Sequence, residues 1–431
     1  MNEPVLIIGA GWAGLAAALQ LHQRGIPCQV FESAPQAGGR ARSIYQHGHE
    51  LDNGQHLLIG AYRETLRLLE YMGLQEEKVL LRRPLKLSVW GQGEQLTLQA
   101  PVLPAPLHLA VALLSAKGLP WQEKFAALRM GLSLQRRRYQ LARDISVAEL
   151  LSQHQQGPHL SRLFWEPLCI ATLNTPPESA SAQVFLNVLR DSFSQRATDA
   201  QLLLPKVSLG KLFAETAAIQ MPNTLQCRHK VEKLIIEDGQ LQALQVNGQL
   251  IPCQQAVLAT APEAAVKLLS LHVPALATQI HTLGSHPIST IYLHYPAVCA
   301  LPEPMIGLHG GIAQWLTDRR IAGQPGIIAV TVSTSAAITR MDRTALCQSL
   351  HHEILQHFPH WPEPTHCQVL HERRATFDCR VGIQTQRPGH NTPIHGLWLA
   401  GDYTANDYPA TLEGAVRSGV QCADLIIHAR K

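Results

Sequence analysis

With 431 residues the chain is long for a single core, so two domains, or one domain with a large insertion, are expected. Its 46% hydrophobic and 16% charged residues exclude a disordered chain and a wholly membrane-embedded one. A net charge of +4 permits contact with an anionic membrane surface but, with no nucleic-acid-binding motif present, gives no support for a nucleic-acid partner.

The apolar run near Met1 lacks a basic leader and carries regularly spaced glycines, so it does not read as a signal peptide. Val5 to Ile8 reads instead as a buried parallel strand. It leads into Gly9, Gly11, Trp12, Ala13 and Gly14, then a helical stretch from Leu15 to Arg24 stopped by Gly25. Cys28 to Phe31 forms a second strand ending at Glu32. Strand, GxGxxG, helix, strand and acid in this order make the dinucleotide fingerprint. Gly9 makes the tight turn, Gly11 lets the backbone approach a pyrophosphate, and Gly14 lets helix pack on strand. The N–H groups at the helix start face the phosphates, and Glu32 accepts from a ribose hydroxyl.

Gly38-Gly39-Arg40-Ala41-Arg42 follows where an NAD-binding unit would continue into its next helix. A second glycine pair with arginines gives another close approach to phosphate, though a surface turn with solvated arginines fits the same residues. Next, Asp52, Asn53, Gln55 and His56 surround Gly54 between apolar flanks. They suit either a polar patch beside a cavity or an Asx-type turn with an interior histidine.

Leu103 to Leu119 is apolar but broken by prolines, His108 and Lys117, too short and interrupted to span a bilayer. An amphipathic stretch from Trp121 to Arg143 follows, with Arg136, Arg137 and Arg138 near its end. Interfacial helices on a membrane and a buried helical hairpin with a solvated basic end both fit. Phe164 to Thr175 carries Glu166, expected to cap a helix or to pair with Arg162 or Arg190. Lys230 to Leu234 opens a hairpin through Asp238-Gly239 and Asn247-Gly248, ahead of a strand from Ala256 to Thr260. Near the C-terminus a strand from Leu397 to Ala400 precedes Gly401-Asp402-Tyr403, and Thr411-Leu412-Glu413 starts a last helix. No second GxGxxG with strand context is present, so any electron donor must come from outside. The nine cysteines, Cys28, Cys169, Cys227, Cys253, Cys299, Cys347, Cys367, Cys379 and Cys422, form no CxxC pair. They read as core thiols of a reducing compartment. A cytoplasmic protein, peripheral on the inner face of the membrane, is expected.

The GxGxxG, GGRAR and GDYTANDYPATLEGA elements resemble the FAD-dependent amine oxidase and phytoene desaturase superfamily over essentially the whole chain. The stretches LDNGQHLLIGAYRETLRLL and FWEPLCIATLNTP are similar to its squalene-associated FAD-dependent desaturase-like branch. The resemblance implies an α/β fold with a Rossmann-type FAD-binding domain from 1–80, 200–262 and 390–431. An inserted α+β substrate domain would comprise 81–199 and 263–389, with membrane-contacting helices. FAD would lie against Gly9, Gly11, Trp12, Ala13, Gly14, Glu32, Gly38, Gly39, Arg40, Ala41 and Arg42. It would also meet Gly54, Gln55, His56, Val231 (at the adenine), Gly401, Asp402, Thr411, Leu412 and Glu413. The implied reaction is reductive: the isoprenoid lipid hydroxysqualene loses its allylic hydroxyl and reduced flavin supplies hydride, giving squalene for hopanoid synthesis. A general acid is then required, and the candidates are His56, Asp52, Tyr403 and Asp407, with Tyr408 a neighbour of the last two. An oxidative carotenoid-type desaturase and a non-catalytic flavin-binding partner remain open.

Overall fold

A computed structural model describes residues 3–46, 48–91 and 93–430. Val5–Ile8 is wholly buried because it is the middle strand of a five-stranded parallel sheet. Its neighbours are Cys28–Glu32, then Leu225–Cys227, on one side, and Ala256–Leu258, then Leu397–Leu399, on the other. Strands covered on both faces read as continuous apolar runs, which is how Val5–Ile8 was recognisable. The first helix runs Trp12–Gln23, starting earlier than the apolar periodicity suggests because Gly11 is already its N-cap. The last helix, Leu412–Ala429, packs on it: a Cβ on Gly419 would overlap the Ala13 carbonyl oxygen. This is an α/β fold with a Rossmann-type parallel sheet.

Val231–Glu237, Gln240–Val246 and Gln249–Pro252 form the hairpin sheet, turning at Asp238-Gly239 and Asn247-Gly248. A seven-stranded sheet lies beyond, in the order His366–Thr376, His286–His294, Ile327–Ser333, Trp315–Asp318, Met305–Leu308, Lys86–Trp90 and Gln95–Gln99. Leu58–Ile59, Leu202–Pro205 and Leu80–Arg83 make a small antiparallel sheet between the two large ones. The basic amphipathic stretch forms Trp121–Arg136, ending before Arg143, and pairs with a helix at Leu107–Ser115. Among the described residues no helix is long and apolar enough to cross a membrane.

The nine cysteines are not all thiols. Cys347 and Cys367 form a disulfide, because the Arg343–His357 helix packs beside the His366–Thr376 strand and brings their Cα atoms to 6.3 Å. Nothing in their spacing announces that approach. The other seven are free, and burial pushes the Cys28 and Cys253 thiols up to about 12, leaving them inert.

The seam between first and last helix has no room for a methyl group. Gly419→Ala is therefore expected to destabilise the protein by about 1–3 kcal/mol, visible as a lower melting temperature at saturating FAD.

Candidate functional site

The N-terminal fingerprint is packed on one side and open on the other. Gly9 sits at φ +104°, and a Cβ there would lie 2.8 Å from the Ala259 carbonyl oxygen. A Cβ on Gly14 would overlap the Gly9 carbonyl oxygen. Gly11 differs, since nothing lies within 4 Å of the Cβ it lacks. The protein's own packing therefore does not demand glycine there. The first helix has no side-chain cap and no acid in its first turn. Among the described residues the N–H groups of Trp12, Ala13 and Gly14 meet no acceptor, although all three residues are buried. A buried helix end without a cap calls for a ligand, and an anion suits it.

The elements expected around a dinucleotide converge on this loop. Gly38 donates its N–H to the Ala10 carbonyl at 2.8 Å, and a Cβ on Gly39 would lie 3.1 Å from the Gly11 Cα. Glu32 accepts from the Ala10 N–H on one oxygen at 2.8 Å and from the Ala34 N–H and the Ser33 hydroxyl on the other, which fixes the carboxylate and leaves Oε2 a lone pair for a ribose hydroxyl. Arg228 and His229 donate backbone N–H to the carbonyls of Ala34 and Glu32, which carries Val231 to the same edge. Arg40 is no solvated surface arginine. It donates to the Asp402 carboxylate and the Ala375 carbonyl, each at 2.6 Å, joining both ends of the chain. Burial opposes its charge but Asp402 outweighs that, and its pKa is raised. Arg42 turns back onto the Gly39 carbonyl at 2.8 Å, beside Ala41. Arg387 donates to the carbonyls of Asp402, Asn406 and Tyr408, so one buried guanidinium shapes the whole loop after Gly401.

Thr411 caps the last helix by accepting from the Gly414 N–H at 3.1 Å. The N–H groups of Leu412 and Glu413 stay unpartnered, and Thr411 and Leu412 line a cavity of about 320 Å³. The Glu413 side chain points elsewhere. Fully buried, it accepts from the Glu64 and Thr65 N–H groups at the start of the Arg63–Tyr71 helix and from Arg417 Nε. Its contribution to a cofactor is limited to its backbone.

Arg40, Asn53, Gly54, Gln55, His56 and Tyr62 also line the cavity. From there it runs between apolar walls that include Leu57, Leu87, Leu168, Leu204, Met305 and Trp315. His56 Nδ1 lies 2.7 Å from the Gly54 carbonyl, which assigns the proton to Nδ1 and leaves Nε2 as the free nitrogen. Burial lowers the His56 pKa below its ordinary 6.5, against the pull of the Gly54 carbonyl and Asp52. Asn53 donates to the Arg40 carbonyl at 3.1 Å and to Glu372 at 3.0 Å, so it is not the side chain of an Asx turn.

Three proposed proton donors lie outside the cavity. Asp52 is turned away, one oxygen 3.0 Å from Arg319 Nη1 and the other 2.8 Å from the Leu209 N–H. Burial pushes its carboxyl up while Arg319 pulls it back. Asp407 sits at the surface against Arg190. Tyr403 is buried in the core, its ring against Gly401 and its hydroxyl unpartnered, and burial raises its pKa. Tyr408 does line the cavity, with Arg417 over its ring at 4.4 Å. Glu166 neither lines it nor meets the suggested arginines, since Arg162 pairs with Glu94 and Arg190 with Asp191 and Asp407. Sequence reasoning missed Glu372, Asp191 and Tyr62, all on the cavity wall. Tyr62 closes the polar LDNGQHLLIGAY stretch and was the one with a local signal. Glu372 and Asp191 arrive from distant segments and had none.

The family model described as flavin containing amine oxidoreductase matches residues 12–427. The chain is 28% identical to the hydroxysqualene dehydroxylase of Rhodopseudomonas palustris, covering 100% of this chain and 99% of that one. It is also 28% identical to the Sinorhizobium fredii protein of that name, covering 99% of each. The 15-cis-phytoene desaturase of Synechococcus elongatus is 23% identical over 98% of this chain and 95% of its own. Among solved structures, cyclohexylamine oxidase from Brevibacterium oxydans superposes with a TM-score of 0.73, at 16% identity and 100% of both chains.

The open face of Gly11 makes a sharp test. Gly11→Ala is expected to leave the apoprotein's melting temperature unchanged while weakening FAD binding about tenfold or more, ~1.4 kcal/mol, in a fluorescence titration.

Proposed function

The chain belongs to the flavin containing amine oxidoreductase family and is an FAD-dependent oxidoreductase; on that premise we propose that it converts hydroxysqualene and reduced flavin to squalene, water and oxidised flavin. The observation that carries this reading is the make-up of the cavity. Most of its wall is apolar, suited to an isoprenoid chain, yet one end gathers His56 and Asn53, with Glu372 held by the Asn53 amide. Oxidative desaturation of a hydrocarbon has no use for such a polar end, whereas removal of an alcohol does. The resemblance to hydroxysqualene dehydroxylases of two organisms supports the same choice.

FAD fits the residues described: the uncapped first helix and the open Gly11 suit its pyrophosphate, Glu32 its ribose, and the Leu412 and Glu413 N–H groups its pyrimidine edge. Bound and reduced, it supplies the hydride. The remaining work belongs to side chains. Hydroxide is a poor leaving group, so a proton must reach the hydroxyl oxygen as the C–O bond breaks. His56 is placed to carry it on Nε2, because Nδ1–H is held by the Gly54 carbonyl. Its lowered pKa makes the imidazolium a stronger acid than usual, though a minor form at neutral pH. Glu372, fixed by the Asn53 amide, puts a carboxylate in the wall where allylic cation charge develops. Phe164, Phe193 and Trp315 line the cavity and help to exclude water. Asp52 positions the His56 segment through Arg319 and Gln55 and gives up no proton. The reductant that restores the flavin comes from outside the chain.

Mixing anaerobically reduced protein with dispersed hydroxysqualene should return the oxidised flavin spectrum with squalene as product. Retention of the reduced spectrum would instead favour the desaturase, testable with oxidised protein and a polyene precursor. His56→Gln should keep its FAD and slow reoxidation about 10²–10⁴-fold. The acid form of His56 grows as pH falls, so the wild-type rate should climb through an inflection below 6.5, and His56→Gln should lack that inflection.

A further inference from the structure

A second cavity, of about 180 Å³, lies between the Leu107–Ser115 and Trp121–Arg136 helices. Its lining is almost wholly apolar, including Leu109, Leu113, Leu128 and Met130. Leu85, Phe164 and Phe193 line this cavity and the flavin-side cavity alike, so these side chains stand between the two.

The outer surface of the two helices is inverted relative to an ordinary surface helix. Leu107 and Val111, four residues apart, are exposed on one helix, and Trp121, Phe125 and Leu132 on the other. Val102, at 98% exposed, and Leu103 precede them. These seven are half of the fourteen large apolar side chains exposed among the described residues. A solvated helix turns its polar stripe outward, so this face is built to be covered.

Charge says by what. From residue 101 to 143 the basic residues are Lys117, Lys124, Arg129, Arg136, Arg137, Arg138 and Arg143, against one acid, Glu123. Glu123 is buried against His159 and neutralises nothing at the surface. Lys117, Arg136, Arg137, Arg138 and Arg143 are exposed. Apolar side chains within a basic rim match an anionic bilayer, where apolar groups enter the acyl boundary and arginines meet phosphates. A protein partner of the same apolar character would not call for so one-sided a charge.

Resting on the lipid substrate proposed above, we infer that these two helices dock on an anionic membrane and that the cleft between them admits the substrate. Phe164 and Phe193 form the inner door to the flavin-side cavity. A substrate that stays in lipid thus reaches the flavin without crossing water.

Docking is tested without turnover. Full-length FAD-loaded protein should cosediment with vesicles of phosphatidylcholine and phosphatidylglycerol in equal parts at least tenfold more strongly than with phosphatidylcholine alone. Leu107→Glu/Phe125→Glu and, separately, Arg136→Glu/Arg137→Glu/Arg138→Glu should each lose at least tenfold of that binding. Equal binding to both vesicle types, or no loss in either variant, would overturn docking. Passage is tested with Gly131→Trp, since Gly131 lines the cleft and has nothing within 4 Å of the missing Cβ. This variant should keep its FAD and its vesicle binding yet be reoxidised by vesicle-borne hydroxysqualene at least tenfold more slowly than wild type. Wild-type speed in Gly131→Trp overturns the passage. If the wild-type protein itself is not reoxidised, the failure lies with the proposed reaction, and cosedimentation still decides docking.

Discussion

Asp52 and Arg319 face each other at 3.0 Å with only 1% of either side chain exposed, and the polar end of the cavity hangs on that pair. A single buried charge is strongly disfavoured, so each residue is held by the other. Further hydrogen bonds hold the pair: the Leu209 N–H donates to Asp52, and Arg319 donates to Gln55 Oε1 through the same nitrogen that meets Asp52 and to Gln324 through Nε. Tyr292 donates its hydroxyl to the Asp52 carbonyl as well. Removing one partner of such a pair typically costs ~3–5 kcal/mol, whereas replacing both by apolar groups is often harmless. Its value therefore lies in position more than in stability. It ties the end of a strand in the seven-stranded sheet to the segment that presents Asn53, Gly54, Gln55 and His56.

That tie explains how a histidine can face an apolar cavity in one orientation. The backbone entering at Asp52 is fixed by the ion pair, and the Gly54 carbonyl then takes Nδ1–H of His56 two residues on. The same burial that makes the cavity hospitable to a hydrocarbon depresses the imidazole's basicity. Water exclusion and acid strength thus share one origin, and neither can be tuned alone. Glu372 keeps its place through Asn53, so both polar groups derive their positions from one short segment.

Legibility in the sequence followed the range of the interaction. Gly9, Gly14, Val5–Ile8, Glu32 and the two hairpin turns were readable because each is explained within a strand–turn–helix or strand–turn–strand unit. The roles of Asp52, Asp407 and Tyr403 were not, because a carboxylate or phenol near a functional motif looks the same whether it faces the cavity, solvent or core. Only Arg319, 267 residues away in sequence from Asp52, turns that carboxyl away from the cavity. The Cys347–Cys367 bridge and Glu372 on the cavity wall are likewise set by the seven-stranded sheet and its covering helix.

Glu413 shows the same limit in its most instructive form. Three helices begin at Trp12, Arg63 and Leu412, and each leaves backbone N–H groups to satisfy. At Arg63 the carboxylate of Glu413 closes the account by accepting from Glu64 and Thr65. Had that carboxylate turned to its own helix start, it would have met the N–H groups of Leu412 and Glu413 and repelled an anionic ligand there. Arg417 takes part of its charge, and the Arg63 helix takes the rest. The two helix starts left open, at Trp12 and Leu412, are those that the fit assigns to the pyrophosphate and to the flavin's pyrimidine edge. Glu413 thus sits at the start of one helix while its carboxylate satisfies the start of another, and the N–H groups of its own helix stay clear of its charge.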